Sequence, residues 1–340
     1  MKKLNLFAVL LCVSGAAFAQ SNSATTTVTG NDNSAAQTQA GAFNTATIAT
    51  EGDDNTAEQS QTGSDHVATI NQVADLNITA GGVVTSGNEA YQTQWGGDNN
   101  EASITQEQKG GSYAMQKQNG SDNIASISQR NPWGNPNDAP LNPNYTNVHK
   151  QTQSGDYNTA TASVFNDANR GEQTQFGDYN TSTLMQSQDQ NTAYMDQVGD
   201  HNNAYSAQQF GPNYLDLEQT GDYNYANNRQ RGSENEVTVS QSGDYNTADL
   251  DFEGDGNKFA SVSQNAVGGT ATDYNSIDID VLGNDNTSTM YSQDGINHEA
   301  TLSIIGDLNT ANLSQSGEGM NSTVEMVGNS NTSTVTQSNL

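Results

Sequence analysis

Four histidines, one cysteine, 39 acidic and 10 basic residues are the groups in this 340-residue chain that could do acid–base, nucleophilic or metal chemistry. Their spacing argues against such chemistry. His66, His149, His201 and His298 sit at no recognisable distance from a nucleophile, and Cys12 stands alone. A solenoid enzyme would need a charged groove with converging acids or arginines, which Arg170, Arg229 and Arg231 do not supply. We expect no enzyme, no catalytic residue, no cofactor and no metal centre. The groups that do recur are the carboxamides of Asn and Gln. Each can donate and accept at once, so their natural chemistry is hydrogen bonding to copies of themselves.

The recurrence is regular. Gly-Asp-Tyr-Asn occurs at 155–158, 177–180, 221–224 and 243–246, and Gly199-Asp200-His201-Asn202 fills the remaining 22-residue step. Halfway asparagines (Asn169, Asn191, Asn213, Asn235) shorten the beat to eleven from Asn147 to Asn257. The same beat runs earlier through Asn33, Asn44, Asn55, His66, Asn77 and Asn88. Later it passes Asn275, Asn286 and Asn297, then loosens to Asn309, Asn321 and Asn331. Counting from each mark, position +2 favours Ala or Ser, +4 favours Gln or an apolar residue, and +6 favours Gln. Special residues at 0, +2, +4 and +6 have the period of a strand with one specified face. Gly and Asp then supply a turn.

These residues require an element that places equal slots above one another. A 22-residue strand–turn–strand–turn unit cannot bury a face alone, but it can when stacked on its copies. The expected fold is all-β: a cross-β, amyloid-like β-solenoid of about fourteen rungs at ~4.8 Å spacing. Asn158, Asn180, Asn202, Asn224 and Asn246 would form one amide ladder. Gln153, Gln175, Gln197, Gln219 and Gln241 would form a second, and Gln186, Gln208 and Gln230 a third. Gly155, Gly177, Gly199, Gly221 and Gly243, with Asp156, Asp178, Asp200, Asp222 and Asp244, would form turn and surface columns.

Composition agrees with an interior that is not greasy. Leu, Ile, Val and Phe total 52 residues, about 15% of the chain, below the ~20% of an ordinary core. The net charge of −29 disfavours nucleic acid and anionic membranes. Lys2, Lys3, the apolar run Leu4–Val13 and Ala17-Phe18-Ala19 read as a secretory signal peptide over 1–19. The organisation expected is then repeats over 20–129, a Pro-rich irregular loop at 130–146 (Pro132, Pro136, Pro140, Pro143), and repeats over 147–340 with an insertion near 265–271. A loop-out within one stack is favoured over a linker between two. Trp133 would pin its own loop, and Trp95 is the other tryptophan that could bind a ligand. The first and last rungs carry no obvious polar cap, which favours open-ended growth.

The pattern Gln-x-Gly-x-x-Asn-x-Ala-x-x-x-Gln stands here at Gln197–Gln208 and Gln219–Gln230, and with Ser for Ala at Gln175–Gln186. It is similar to the curlin repeat, the unit of bacterial curli amyloid fibres. The resemblance implies a secreted β-solenoid subunit that crosses the outer membrane through dedicated export machinery. It would then polymerise with itself and other curlin subunits into extracellular, cell-surface fibres for adhesion to host or abiotic surfaces and for biofilm matrix. The chain has more repeats than is usual for that family, and the Pro-rich block is foreign to it.

Two further expectations concern the outward columns. Carboxylates from Asp156 to Asp244 at ~4.8 Å would repel by roughly 1 kcal/mol per neighbour, so acid or weak divalent-cation binding would favour assembly. The Gly-Asp turns are better read as turns than as calcium sites, since the calcium-binding solenoid repeat has nine residues. Tyr157, Tyr179, Tyr223 and Tyr245 would stack beside them, as a stabilising ladder or an adhesive ridge. The alternative function is a monomeric solenoid adhesin or ligand binder. Its ice-binding form would need Thr-x-Thr on successive rungs. Thr159/Thr161 and Thr181/Thr183 fit, but Asn203/Tyr205 and Tyr225/Asn227 break that array.

Overall fold

A computed structural model describes residues 8–10, 21–74, 87–108, 111–130, 147–166, 168–266 and 268–339. These residues contain strands and turns and no helix. The chain divides into two compact units, 1–171 and 172–340. The expected leader, 1–19, lies outside the described residues except for Ala8–Leu10, a short strand beside Ala35–Gln37.

Each unit is a solenoid of stacked coils. In unit 1, strands Ser23–Thr29, Thr45–Gly52, Val67–Ala74, Glu101–Gln108, Ile124–Arg130 and Thr159–Phe165 pair in succession, all parallel. The alternate strands Ser34–Ala42, Thr56–Ser64, Glu89–Asp98, Tyr113–Asn119 and Val148–Ser154 make the facing sheet. In unit 2 one sheet runs from Thr181–Ser187 to Asn321–Val327 and the other from Thr192–Val198 to Thr332–Ser338. Inward and outward residues alternate along each strand: Thr159–Phe165 buries Ala160, Ala162 and Val164 and leaves the rest in contact with water.

There are about 13 turns in all, against the expected fourteen or so. Stacked partners stand 34 residues apart around 75–86, 35 around 131–146 and 29 around the insertion near 265–271, instead of 22. The Pro-rich segment itself, with Trp133, lies outside the described residues, as does Asn77. The strands that flank it, Ile124–Arg130 and Val148–Ser154, pair in register with Thr159–Phe165 and Tyr113–Asn119 respectively, so the unit 1 ladders continue across it.

Two marks are corrected. Asn297 sits in a turn with φ +61°, and the buried residue in the column is His298. The pair Thr289-Met290 interrupts the strand between Thr287–Ser288 and Tyr291–Ile296, which shifts the count by one. Asn321 is exposed, and its place in the column belongs to Met320.

Candidate functional site

The turn sets the geometry. Gly177, Gly199, Gly221 and Gly243 have φ between +84° and +112°, and Tyr179, His201, Tyr223 and Tyr245 have φ +59°. Glycine is required at the first position for two reasons. Its φ excludes other residues, and a Cβ on Gly199 would sit 2.2 Å from the Gly221 carbonyl oxygen of the next coil. The second left-handed residue, just before each Asn, was not foreseen from the sequence, because Tyr, His, Asp and Leu308 all occupy it. Turn backbones bond along the stack: the Tyr223 N–H donates to the Asp200 carbonyl and the Tyr245 N–H to the Asp222 carbonyl, both at 2.9 Å.

Asn158, Asn180, Asn202, Asn224 and Asn246 are all buried. Their bonding differs from a plain amide-to-amide ladder. Asn202 Oδ1 accepts the backbone N–H of Asn224 at 3.0 Å and its Nδ2–H at 3.1 Å. Asn202 Nδ2 donates to the Gly221 carbonyl at 2.7 Å. Asn180, Asn202 and Asn224 each hold the entry of the next coil's strand and the glycine of its turn, satisfying backbone groups that would otherwise be stranded in the interior, whereas Asn246 Oδ1 has no partner.

The Gln columns are true ladders. In unit 2, Nε2 donates to the next Oε1 from Gln175 through Gln197, Gln219, Gln241, Gln264, Gln293 and Gln315 to Gln337, at 2.8–3.0 Å. The second proton crosses the interior, as from Gln197 to the Thr181 carbonyl and from Gln219 to the Asn203 carbonyl. On the facing sheet the ladder runs Gln186, Gln208, Gln230 and stops at Phe252. In unit 1, Gln94 donates to Gln118 and Gln118 to Gln153. A parallel column, Gln37, Gln59, Gln92, Gln116 and Gln151, lies on the same sheet.

Two histidines act as asparagine mimics. His66 Nδ1 accepts the Asn100 N–H at 3.2 Å, and its Nε2 is 3.3 Å from the Thr62 carbonyl. His298 repeats this with the Met320 N–H and the Asp294 carbonyl. A backbone N–H can only donate and a carbonyl only accept, so both rings are the neutral Nε2–H tautomer. Burial holds the His66 pKa below its ordinary 6.5, against the opposing pull of the Thr62 carbonyl, Asp98 and Asp65. His149 is buried in the +2 column, while His201 lies exposed in the turn.

The Asp column is bonded as well as charged. Asp200 Oδ1 accepts the Asp178 N–H, and Asp222 Oδ1 the Asp200 N–H, both at 2.8 Å. Asp244 Oδ1 accepts the Asp222 N–H at 2.9 Å, and in unit 1 Asp156 Oδ1 accepts the Ser121 N–H at 2.7 Å. Asn284 and Asn329 fill the same slot and accept in the same way. The slot requires an acceptor oxygen rather than a charge. Beyond it, the rings of Tyr179, His201, Tyr223 and Tyr245 stack at centroid distances of 4.9, 4.6 and 4.8 Å, within 9° of parallel.

A family model described as the curlin associated repeat matches residues 232–265 and 306–338. These two segments are curlin repeats. No curated protein matches the chain. Both matched curlin repeats open on a turn glycine with positive φ, Gly232 at +130° and Gly306 at +128°, and continue through the buried Asn235 and Asn309 to Gln241 and Gln315. In these segments the curlin repeat is thus, in structural terms, a turn glycine and a buried Asn leading to one laddered Gln per coil, with apolar Phe252 and Met326 in the Gln slot of the facing strand.

Proposed function

We propose that this chain is a secreted structural subunit that polymerises into curli-type extracellular fibres serving adhesion and biofilm matrix. The observation that carries the reading is the translational self-complementarity of the unit 2 interior. Every Gln of the ladder from Gln197 to Gln315 accepts from one neighbour and donates to the other, so the top of a coil fits the bottom of its copy. The same chemistry that stacks coils within a chain would stack one chain on the next, through backbone and carboxamide bonds at the cross-β spacing. Itself and other curlin subunits are the partners this implies. Passage through an outer-membrane export channel and contact with host or abiotic surfaces follow from the family reading. The negative charge would keep the chain soluble until it meets a template.

The test is to incubate purified residues 20–340 at neutral pH. Thioflavin-positive fibres with a meridional reflection near ~4.7–4.8 Å are expected, together with shortening of the lag by sonicated fibres. A monomer that ignores seeds would support the adhesin reading instead.

A further inference from the structure

The chain's one cysteine is Cys12, so covalent ties between coils must come from other chemistry. The exposed turn ridge of unit 2 offers it. Tyr223 and Tyr245 lie 22 residues apart on consecutive coils, with ring centroids 4.8 Å apart and planes within 3°. Tyr223 is 47% exposed, and Tyr245 is part-exposed. Neighbouring hydrogen bonds fix the two backbones: the Tyr245 N–H donates to the Asp222 carbonyl, and the Asp222 N–H to Asp244 Oδ1. The rings are held in contact, and both residues are partly exposed to solvent.

We propose that Tyr223 and Tyr245 form an oxidative cross-linking site, at which a peroxide-driven one-electron oxidant couples the two rings into a dityrosine that staples consecutive coils. Each phenol loses one electron and its hydroxyl proton to give a phenoxyl radical. The radicals join through one new carbon–carbon bond between ring carbons ortho to the oxygens. The two hydrogens on those carbons then shift to the oxygens and restore both phenols. The sum is two tyrosines giving one dityrosine, two protons and two electrons. One hydrogen peroxide takes these up and leaves as two waters.

Two other tyrosine pairs in contact are less suited to coupling. Tyr91 and Tyr113 are 5.7 Å apart and tilted by 39°, and Tyr194 and Tyr214 are 6.2 Å apart and tilted by 59°. Burial also pushes the phenols of Tyr91, Tyr113 and Tyr214 up, which opposes the loss of their protons. Coupling at Tyr223 and Tyr245 needs only rotation of two half-exposed side chains.

The sequence makes the product easy to read. Trypsin cuts after Arg170, Arg229, Arg231 and Lys258, so Tyr245 is the only tyrosine in fragment 232–258, while Tyr223 lies in 171–229. The experiment treats monomeric, folded chain with a haem peroxidase and hydrogen peroxide, then digests it and seeks a 171–229/232–258 species two hydrogens lighter than its parts. The species is expected in the unaltered chain at a yield independent of protein concentration. It should be lost in Tyr245→Phe, which leaves fragment 232–258 without a tyrosine, and fall about tenfold in Tyr223→Phe, which keeps the stacked ring but removes the pre-positioned phenol. The same species at undiminished yield in Tyr223→Phe would overturn the proposal. So would its absence under conditions that couple free tyrosine. The monomer is used throughout, so the result stands apart from whether fibres form.

Discussion

The two units share one coil and fill it differently. Unit 1 carries two Gln columns on one sheet and Gln72, Gln106 and Gln129 on the other, beside a column of Ile48, Ile70, Ile104 and Ile127. Unit 2 keeps one unbroken Gln ladder. Elsewhere it turns apolar, with Leu215, Val237 and Phe259 in one column, Leu217 and Val239 in the next, and Phe252, Val281 and Ile304 on the facing sheet. The backbone, the turn glycines and the buried Asn column are common to both. The interior is therefore chosen by column rather than by residue: a slot tolerates amide or hydrocarbon provided that its neighbours above and below are the same kind. Where a column changes kind, polar atoms are left over. Gln72 Oε1 and Thr50 Oγ1, on residues stacked in register, lack partners where the unit 1 ladder begins. In unit 2, Ser206 Oγ and both amide atoms of Asn228 are orphaned between Leu184 and Leu250.

The common frame should be the most fragile part. Gly199→Ala combines a forbidden φ with a clash against the Gly221 carbonyl, and we expect a loss above about 3 kcal/mol in urea unfolding. A milder loss would show that the turn can relax. Next come swaps of column type. Gln94→Leu in unit 1 strands the Gln61 donor and the Gln118 acceptor, and Leu217→Gln in unit 2 buries an unmatched amide. Each should cost about 2–4 kcal/mol, read as lost amide exchange protection in the flanking coils. If either is neutral, the column rule is wrong for that unit. Asn228→Leu should run the other way, stabilising unit 2 by about 1–2 kcal/mol, because it removes two orphaned atoms from an apolar column.

Acid should separate the units in a different manner. His66 is neutral when folded and its pKa is depressed, so the unfolded chain binds a proton first. Its contribution is full above pH 6.5 and is lost as pH falls below that value. Protection of the coils around His66 should decline below pH 6.5 and level off in His66→Asn, which keeps the acceptor without the titration. The smallest effect concerns the Asp column. Asp200→Asn retains the acceptor for the Asp178 N–H, as Asn284 does in its own slot, and should change stability by less than about 1 kcal/mol, whereas Asp200→Ala should cost about 1 kcal/mol. Equal effects of the two would mean that charge, not the bond, governs the slot.

Much of this was legible in the sequence. A period of eleven with fixed slots at 0, +2, +4 and +6 specifies coil, inward face and stacking together. What escaped was hydrogen bonding to the backbone: the letters show Asn above Asn, but not that Asn202 binds the strand entry and the Gly221 carbonyl of the next coil. The Asp column reads from the sequence as turn formers that repel one another, and its bond along the stack is hidden for the same reason. Counting by asparagine also misplaced two marks. One extra residue in the coil after Asn286 moves the slot to His298, and the apolar Met320 holds a slot where Asn321 stands one residue away. The strand Lys258–Ala266 carries a matching irregularity against Glu236–Gly243, so the bulge is stacked on its copy.

Hydrogen exchange of the side-chain carboxamides, followed by nitrogen-15 NMR, reaches the central point most directly. The Nε2 protons of Gln197, Gln219 and Gln241 should exchange as slowly as the backbone amides of their own strands. Exchange as fast as that of a free glutamine in solution would mean that these groups do not hold the coils together.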